Sequence, residues 1–360
     1  MAKDESRYLT EWVHHYLYFG ADKILVAFNR STDPSENMAA ILEGEQPQFE
    51  AVNVDSFDKI DGQNRKDLQR LAYAVCLDVI RKKHPDITHA FFVDIDEFWF
   101  PRDFKTKLND FVDRFGDFAS MSFNWVAQGF DDKAYSPPFS NRHGDLSTNK
   151  KTIIALKYWS KLTRIGFHDC AFSGPDCATL DGRGERIDLE SIEERAVKAP
   201  EQYHALILHR MFRSAEEYFS ILLRGRLSGA AEMNNGRTAQ RLNAMQNGKF
   251  DLHQYCDQTD EISKYHKSLD AFFSASQTIE TIHKQRESQT FWKLLPTVRK
   301  EILIRNFELL VSALKGTVLF EPFARHFASF DLSDQPIETK QQILNALHEI
   351  EQDNSSLGQD

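Results

Sequence analysis

The run Thr88-His-Ala-Phe-Phe-Val93 is the most apolar stretch of the chain, and it leads straight into Asp94-Ile-Asp96-Glu97-Phe98-Trp99. A short, continuously apolar run reads as a strand covered on both faces, and such a strand needs helices to cover it. The flanking sequence supplies them. Tyr8, Leu9, Trp12, Val13, Tyr16, Leu17 and Phe19 recur at helical spacing, and Gly20 follows where a helix C-cap belongs. Lys23–Phe28 and Phe49–Val54 read as strands, with a short helix opened by Pro34 between them. A long helix is expected from Asn64 to Lys83. Strands separated by helices of this length imply βαβ units and a mainly parallel sheet.

Past Pro101 the pattern loosens. A helix is expected near Asp103–Phe115, then strands at Ala119–Trp125, Lys151–Tyr158 and His204–Leu208. Gln128–Lys151 reads as a long surface loop, and Gly166–Arg186 has no period. From Asn235 onward the spacing is helical, with Phe291–Leu314 the clearest case, so a boundary is expected near residue 228 and a frayed tail at 353–360. The 28 Phe are scattered through these elements, which core packing explains, although Trp99 beside Asp96 is also placed to stack on a sugar.

Composition narrows the function classes. The chain has 54 Asp+Glu against 44 Lys+Arg, a net charge of −10, which argues against nucleic acid as the main partner. No apolar run approaches the roughly 18 residues of a membrane span, and MAKDESRYL lacks a signal-peptide core. Four Cys in 360 residues make no disulfide framework. A zinc half-site at Cys170, Cys177 and His168 lacks the rest of a four-ligand set.

The chemistry is expected at the acidic run. Strand geometry would send Asp94 and Asp96 to one side, where both reach a hard cation such as Mn2+ or Mg2+. Three acids in four residues repel one another without a counter-charge, and ligands bind at the carboxyl ends of strands in such sheets. Two enzyme classes use such a strand. A haloacid-dehalogenase-like phosphohydrolase would use Asp94 as nucleophile, but Phe98 stands where that motif has a hydroxyl or Val. A sugar-nucleotide transferase would hold a divalent ion against the donor pyrophosphate.

Further residues carry a resemblance. Asp4-Glu5-x-x-Tyr8-Leu9-x-Glu11-Trp12 with Gly20-x-Asp22, then Asn29-x-Ser31-x-Asp33, Asp94-Ile-Asp96-Glu97-Phe98, Asn124-Trp125 with Gly129, and His209-Arg-Met-Phe-Arg-Ser214-x-x-Glu217-Tyr218 with Arg224-Gly225 follow one another in order. Together they resemble GT-A glycosyltransferases of the family 2 and family 92 type, over residues 3 to about 226. The family begins with a hydrophobic strand, whereas only Met1 and Ala2 precede Lys3 here, so the first strand is expected to be short or missing.

The resemblance implies a GT-A-like α/β fold over 1–227, a mixed sheet flanked by helices, followed by a helical region over 228–352. It places Asp4, Glu5, Arg7, Asn29, Ser31 and Asp33 near the nucleotide, although turn-making and capping compete for these loop residues. Asp94 and Asp96 would hold metal and diphosphate, with His209 completing the metal shell. An inverting reaction needs a base. Asp169 beside His168 is the first candidate, with Asp131 and Asp176 as alternatives. Lys151, Lys157 and Arg213 are candidates to pair with phosphate, and Ser214 with Glu217 reads as a capping box. The implied activity is transfer from a UDP- or GDP-sugar to a glycan or lipid-linked acceptor. The implied setting is polysaccharide synthesis by a cytoplasmic protein with peripheral membrane association. A non-catalytic nucleotide-sugar-binding relative is the alternative.

Overall fold

The computed structural model describes residues 1–29, 31, 33–56, 65–187, 199–214, 217, 249–256 and 259–281. The expected boundary near 228, the helix at Phe291–Leu314 and the tail lie outside them. The chain divides into two compact units, one of Met1–Gln128, Pro137–Met211 and Gly248–Ser288, the other of Gly129–Ser136, Phe212–Asn247 and Gln289–Asp360.

The first unit opens with helix α1 (Ser6–Tyr18), whose apolar spacing buries Leu9, Trp12, Val13 and Tyr16. It stops at Gly20, where φ is +82°. The Gly20 N–H donates to Leu17 O and the Ala21 N–H to Tyr16 O, a Schellman stop that glycine adopts without a Cβ clash. Strand β1 (Ile24–Phe28), helix α2 (Ser35–Glu45), strand β2 (Phe49–Asn53) and helix α3 (Arg65–Lys83) follow. β1 and β2 pair in parallel as their own two-stranded sheet. Ala2 adds a single parallel bridge to Phe28 on the other edge.

The larger sheet is not mainly parallel, as the alternation of elements suggested. It contains β3 (His89–Phe91), β4 (Glu97–Pro101), β5 (Ser120–Gln128), β6 (His143–Ala155), β9 (Thr179–Asp181), β10 (Ala205–His209) and β11 (Phe250–Asp251). Its central order is β11-β6-β5-β10-β4, with β3 also pairing with β6 and β9 with β5. β5–β6, β3–β6, β4–β10 and β6–β11 are antiparallel; β5–β10 and β5–β9 are parallel. The misreading traces to residues 128–151. Their Ser, Asn and Asp content signals loop, yet β6 starts at His143 and runs back along β5, so the exposed half of a hairpin strand reads as polar. β7 (Leu162–Ile165) and β8 (Cys170–Phe172) form a separate hairpin after a 3-10 helix at Leu156–Lys161. The helix expected over 103–115 is confined to α4 (Leu108–Asp113). Helices α5 (Leu252–Cys256) and α6 (Thr259–Phe273) belong to the same unit.

β4 is buried along its whole length, and Phe98, Trp99 and Phe100 are fully enclosed. Trp99 therefore packs in the core, edge-on to Phe19, Phe111 and Phe123, and is not placed to stack on a ligand. Most of the aromatic excess is used this way, each fully buried ring contributing about 2 kcal/mol or more.

His14 and His15 are sealed in this core. The His15 Nε2–H donates to Trp99 O at 2.7 Å, and the Tyr265 hydroxyl, 3.2 Å away, donates to Nδ1. Burial lowers His15 to about 3 and His14 to about 4. Both stay neutral in the fold while the unfolded chain takes up protons below about 6.5. Stability is therefore expected to fall as pH drops from 6.5 toward 4, by about 2–3 kcal/mol per histidine at pH 4.5. Thermal melts from pH 7.5 to 4.5 check this; a flat profile contradicts it.

In the second unit, the Ser214 and Glu217 side chains accept one another's backbone N–H, each at 3.1 Å, the expected capping box.

Candidate active site

The carboxyl end of β3 and the start of β4 carry the acidic run. β3 ends at Phe91, so Asp94 and Asp96 do not extend a strand and do not share a face. They occupy a tight turn in which the Glu97 N–H donates to Asp94 O at 3.1 Å. The turn is locked by its own side chain: the Asp94 N–H donates to Glu97 Oε2 at 2.8 Å. It is further held by the Arg210 N–H donating to Asp96 O and by the Tyr16 hydroxyl donating to Glu97 O.

The turn separates the two aspartates. Asp94 faces Lys151 Nζ at 2.7 Å, Gln69 Nε2 at 3.1 Å and the Tyr73 hydroxyl at 3.4 Å. Asp96 faces His209, with Nε2 at 3.4 Å from Oδ2. Glu97 lies directly opposite His209 in the antiparallel β4–β10 register, so sheet pairing itself brings them together. One ligand atom each from Asp96, Glu97 and His209 fall within 4.8 Å of one another, the only such group among the described residues.

Charge and burial define this group. Glu97 is fully buried; burial, with Asp94 and Asp96 nearby, raises its carboxyl to about 7 against the opposing pull of Lys151. His209 is also buried, but Asp96 outweighs that and raises it. Burial favours a neutral Asp94, yet the Lys151 ammonium overrides it and lowers its carboxyl. Two buried atoms, Glu97 Oε1 and His209 Nδ1, have no hydrogen-bond partner among the described residues. Orphaned buried groups of this kind are costly unless something binds them. A donor set of two carboxylates and an imidazole suits Mn2+ or Mg2+, so the residues present fit a divalent ion.

The His168 Nδ1–H donates to Lys150 O at 3.1 Å, and Thr152 Oγ1 holds the His168 carbonyl. Nε2 is then the basic nitrogen. Burial and then Lys151 lower His168, which keeps it neutral near pH 7. The Trp125 ring touches both His168, at 5.0 Å between centroids, and His209, at 4.1 Å. Trp125 sits where the β5–β6 register shifts between Asn124 and Val126. Asp169 is engaged by Arg164 at 3.0 Å and Asp176 by Lys161. Asp131 lies in the second unit, where its N–H donates to Arg213 O. Lys157 pairs with Asp117, and Lys151 with Asp94 and Glu97 rather than standing free for phosphate.

The residues expected near a nucleotide form one knot. Asp33 Oδ2 accepts the Ser6 N–H and hydroxyl, while Oδ1 accepts the Ser35 N–H and hydroxyl, so Asp33 caps α1 and α2 together. Asp4, at φ +56°, accepts the Asp33 N–H, and its own N–H reaches Ser31 at 3.4 Å. The Glu5 N–H donates to Ser35 Oγ at 2.9 Å. Arg7 lies over the Tyr8 ring at 6.0 Å, and the buried Asn29 amide reaches Val54 O at 3.5 Å. Cys170 is buried in an apolar cluster with Tyr73, Leu77 and Ile154, and the Cys177 thiol donates to Ser173 O, so no zinc group forms among the described residues.

The spacing of residues did not reveal that Glu97 groups with Asp96 and His209, or that Gln69 and Tyr73 are partners of Asp94. The one available signal was Lys151, a charge at the head of the buried run Thr152–Ala155.

Residues 2–165, slightly less than half of the chain, match the model of glycosyltransferase family 92. No curated protein matches. Among solved structures, the crystal structure of S. aureus TarS residues 1–349 aligns over 99% of this chain and 89% of that one, at 13% identity and a TM-score of 0.26. The matched segment includes the turn at Asp94–Glu97 and the Lys151 that binds it. No helix among the described residues is long and apolar enough to cross a membrane. The likeness to glycosyltransferase family 92 therefore covers residues 2–165, and it supports glycosyl transfer as the general class of activity.

Proposed function

We propose that the protein transfers a sugar, with inversion, from a UDP- or GDP-linked donor to a glycan or lipid-linked acceptor on a GT-A-type scaffold, at a centre built from Asp96, Glu97, His209 and His168. The observation that carries this reading is the convergence of Asp96, Glu97 and His209 on one small volume beside two unsatisfied buried atoms. A donor diphosphate is repelled by three neighbouring carboxylates unless a cation stands between them. Bound there, Mn2+ or Mg2+ would neutralise charge developing on the leaving nucleoside diphosphate.

The chain's own residues supply the rest. His168 Nε2 takes the proton of the acceptor hydroxyl, and the Nδ1–H bond to Lys150 O keeps the ring in the required tautomer. His168 is favoured over Asp169 because Asp169 already holds Arg164. Trp125 walls the space between His168 and His209, where an apolar sugar face can lie. Asp4 and Ser31 are assigned to the nucleotide side, with Asp33 supporting them through its two caps. A groove of about 740 Å3, lined by Arg70, Trp159, Thr163 and Arg164, is assigned to the acceptor. The phosphohydrolase alternative is disfavoured because Phe98 is enclosed in the core.

A panel of UDP- and GDP-sugars, assayed for slow hydrolysis with Mn2+, tests the reading. Release of UDP or GDP from one donor, abolished by EDTA, is expected. No turnover of any donor, together with hydrolysis of simple phosphoesters, overturns it.

A further inference from the structure

Lys151 is the feature that this function does not use. Its side chain is 1% exposed, its ammonium lies 2.7 Å from Asp94 and 3.2 Å from Glu97, and it comes from the middle of β6. Phe123 lies opposite it in the β5–β6 register, so the charge is held inside a packed sheet. Burying a lysine costs heavily unless carboxylates surround it, and here two do. Both oxygens of Asp94 are engaged by this arrangement: Oδ2 faces Lys151 while Oδ1 faces Gln69 and Tyr73. Glu97 differs. Oε2 faces Lys151 and the Asp94 N–H, but Oε1 is buried without a partner among the described residues. His209 Nδ1 is also buried without a partner among the described residues, while its Nε2 lies 3.4 Å from Asp96 Oδ2. Glu97 thus groups with Asp96 and His209, and Asp94 is absent from that group.

We propose that Lys151 is a resident counter-cation that occupies the Asp94 end of the acid cluster, so that a divalent ion is held by Asp96, Glu97 and His209 with Asp94 outside its coordination. With all three acids ionised, one ammonium against three carboxylates leaves a net charge of −2, which a single divalent ion balances. Glu97 is the link: Lys151 orients its carboxylate through one oxygen and leaves the other for the ion. Lys151 is thus a positioning residue. The proposal rests on the divalent-ion reading above, but it reverses the weight that the Asp94-x-Asp96 spacing places on its first acid.

The test is direct metal binding by the full chain, with free Mn2+ read by electron paramagnetic resonance at pH 7.5. Asp94→Asn is expected to change the Mn2+ dissociation constant by less than about threefold, and Asp96→Asn to raise it at least tenfold. In a Lys151→Met background, Asp94 is released to join the ion, so adding Asp94→Asn is expected to weaken binding at least threefold. If Lys151→Met does not fold, the first comparison stands alone. Equal losses in Asp94→Asn and Asp96→Asn overturn this proposal and leave the divalent reading intact. No Mn2+ binding by the unaltered chain overturns both.

Discussion

Replacing Asp96 by Asn is expected to lower sugar transfer about 10³-fold while leaving the fold in place. The substitution keeps the size of the side chain and removes the charge nearest His209. The Asp96 backbone continues to be pinned by Arg210, and its side chain is only partly buried, so the melting temperature should move by no more than a few degrees. The loss should fall mainly on kcat, because charge on the departing diphosphate is larger in the transition state than in the bound donor. Steady-state kinetics with the best donor, alongside a thermal melt, separates the outcomes. Activity within tenfold of the unaltered protein would remove Asp96 from the centre.

The second large effect is at His168. His168→Gln is expected to cost about 10²–10⁴-fold in kcat, since Gln can keep a bond to Lys150 O but cannot take a proton. The pH profile gives an independent readout. Burial and Lys151 lower His168 below its ordinary 6.5, so the base is already neutral at neutral pH. The limb that His168 contributes should therefore have its midpoint below 6.5, apart from any limb near 7 that belongs to Glu97. The Gln variant should lose the lower limb. A lower limb unchanged in the variant would point to another base.

Local elements were largely legible in the sequence. Helix α1, its Gly20 stop, β1, β2 and the long helix α3 follow from spacing and cap chemistry that neighbouring residues specify. The location of the acidic turn was legible for the same reason. Its geometry was not. The apolar run through Val93 suggests a strand that delivers Asp94 and Asp96 to one face, whereas β3 stops at Phe91 and a turn sends them apart. What decides this is distant: Lys151 is 57 residues from Asp94, and His209 reaches Glu97 only because β10 inserts between β4 and β5. A single sequence shows that Lys151 heads an apolar run; it does not show which carboxylates neutralise it. The same holds for Asp33, whose capping of two helices depends on Ser6 and Ser35 meeting across a loop. The mixed sheet followed from the resemblance, whereas the alternation of elements pointed to a mainly parallel one, because hairpin strands such as β6 carry a polar solvent face that imitates loop composition.

The acidic excess takes on a narrower meaning in this setting. Ten surplus negative charges discourage polyanions in general. On the proposed function, the same excess at the turn would make binding of one particular anion, a nucleoside diphosphate, conditional on a divalent partner.

Calorimetric titration of the full chain with UDP and with GDP, in Mn2+ and in EDTA, tests this most directly. The account predicts that one of the two nucleotides binds in Mn2+, that EDTA abolishes the heat, and that Asp96→Asn abolishes it as well. Binding that EDTA leaves unchanged, or no binding of either nucleotide in Mn2+, would contradict it.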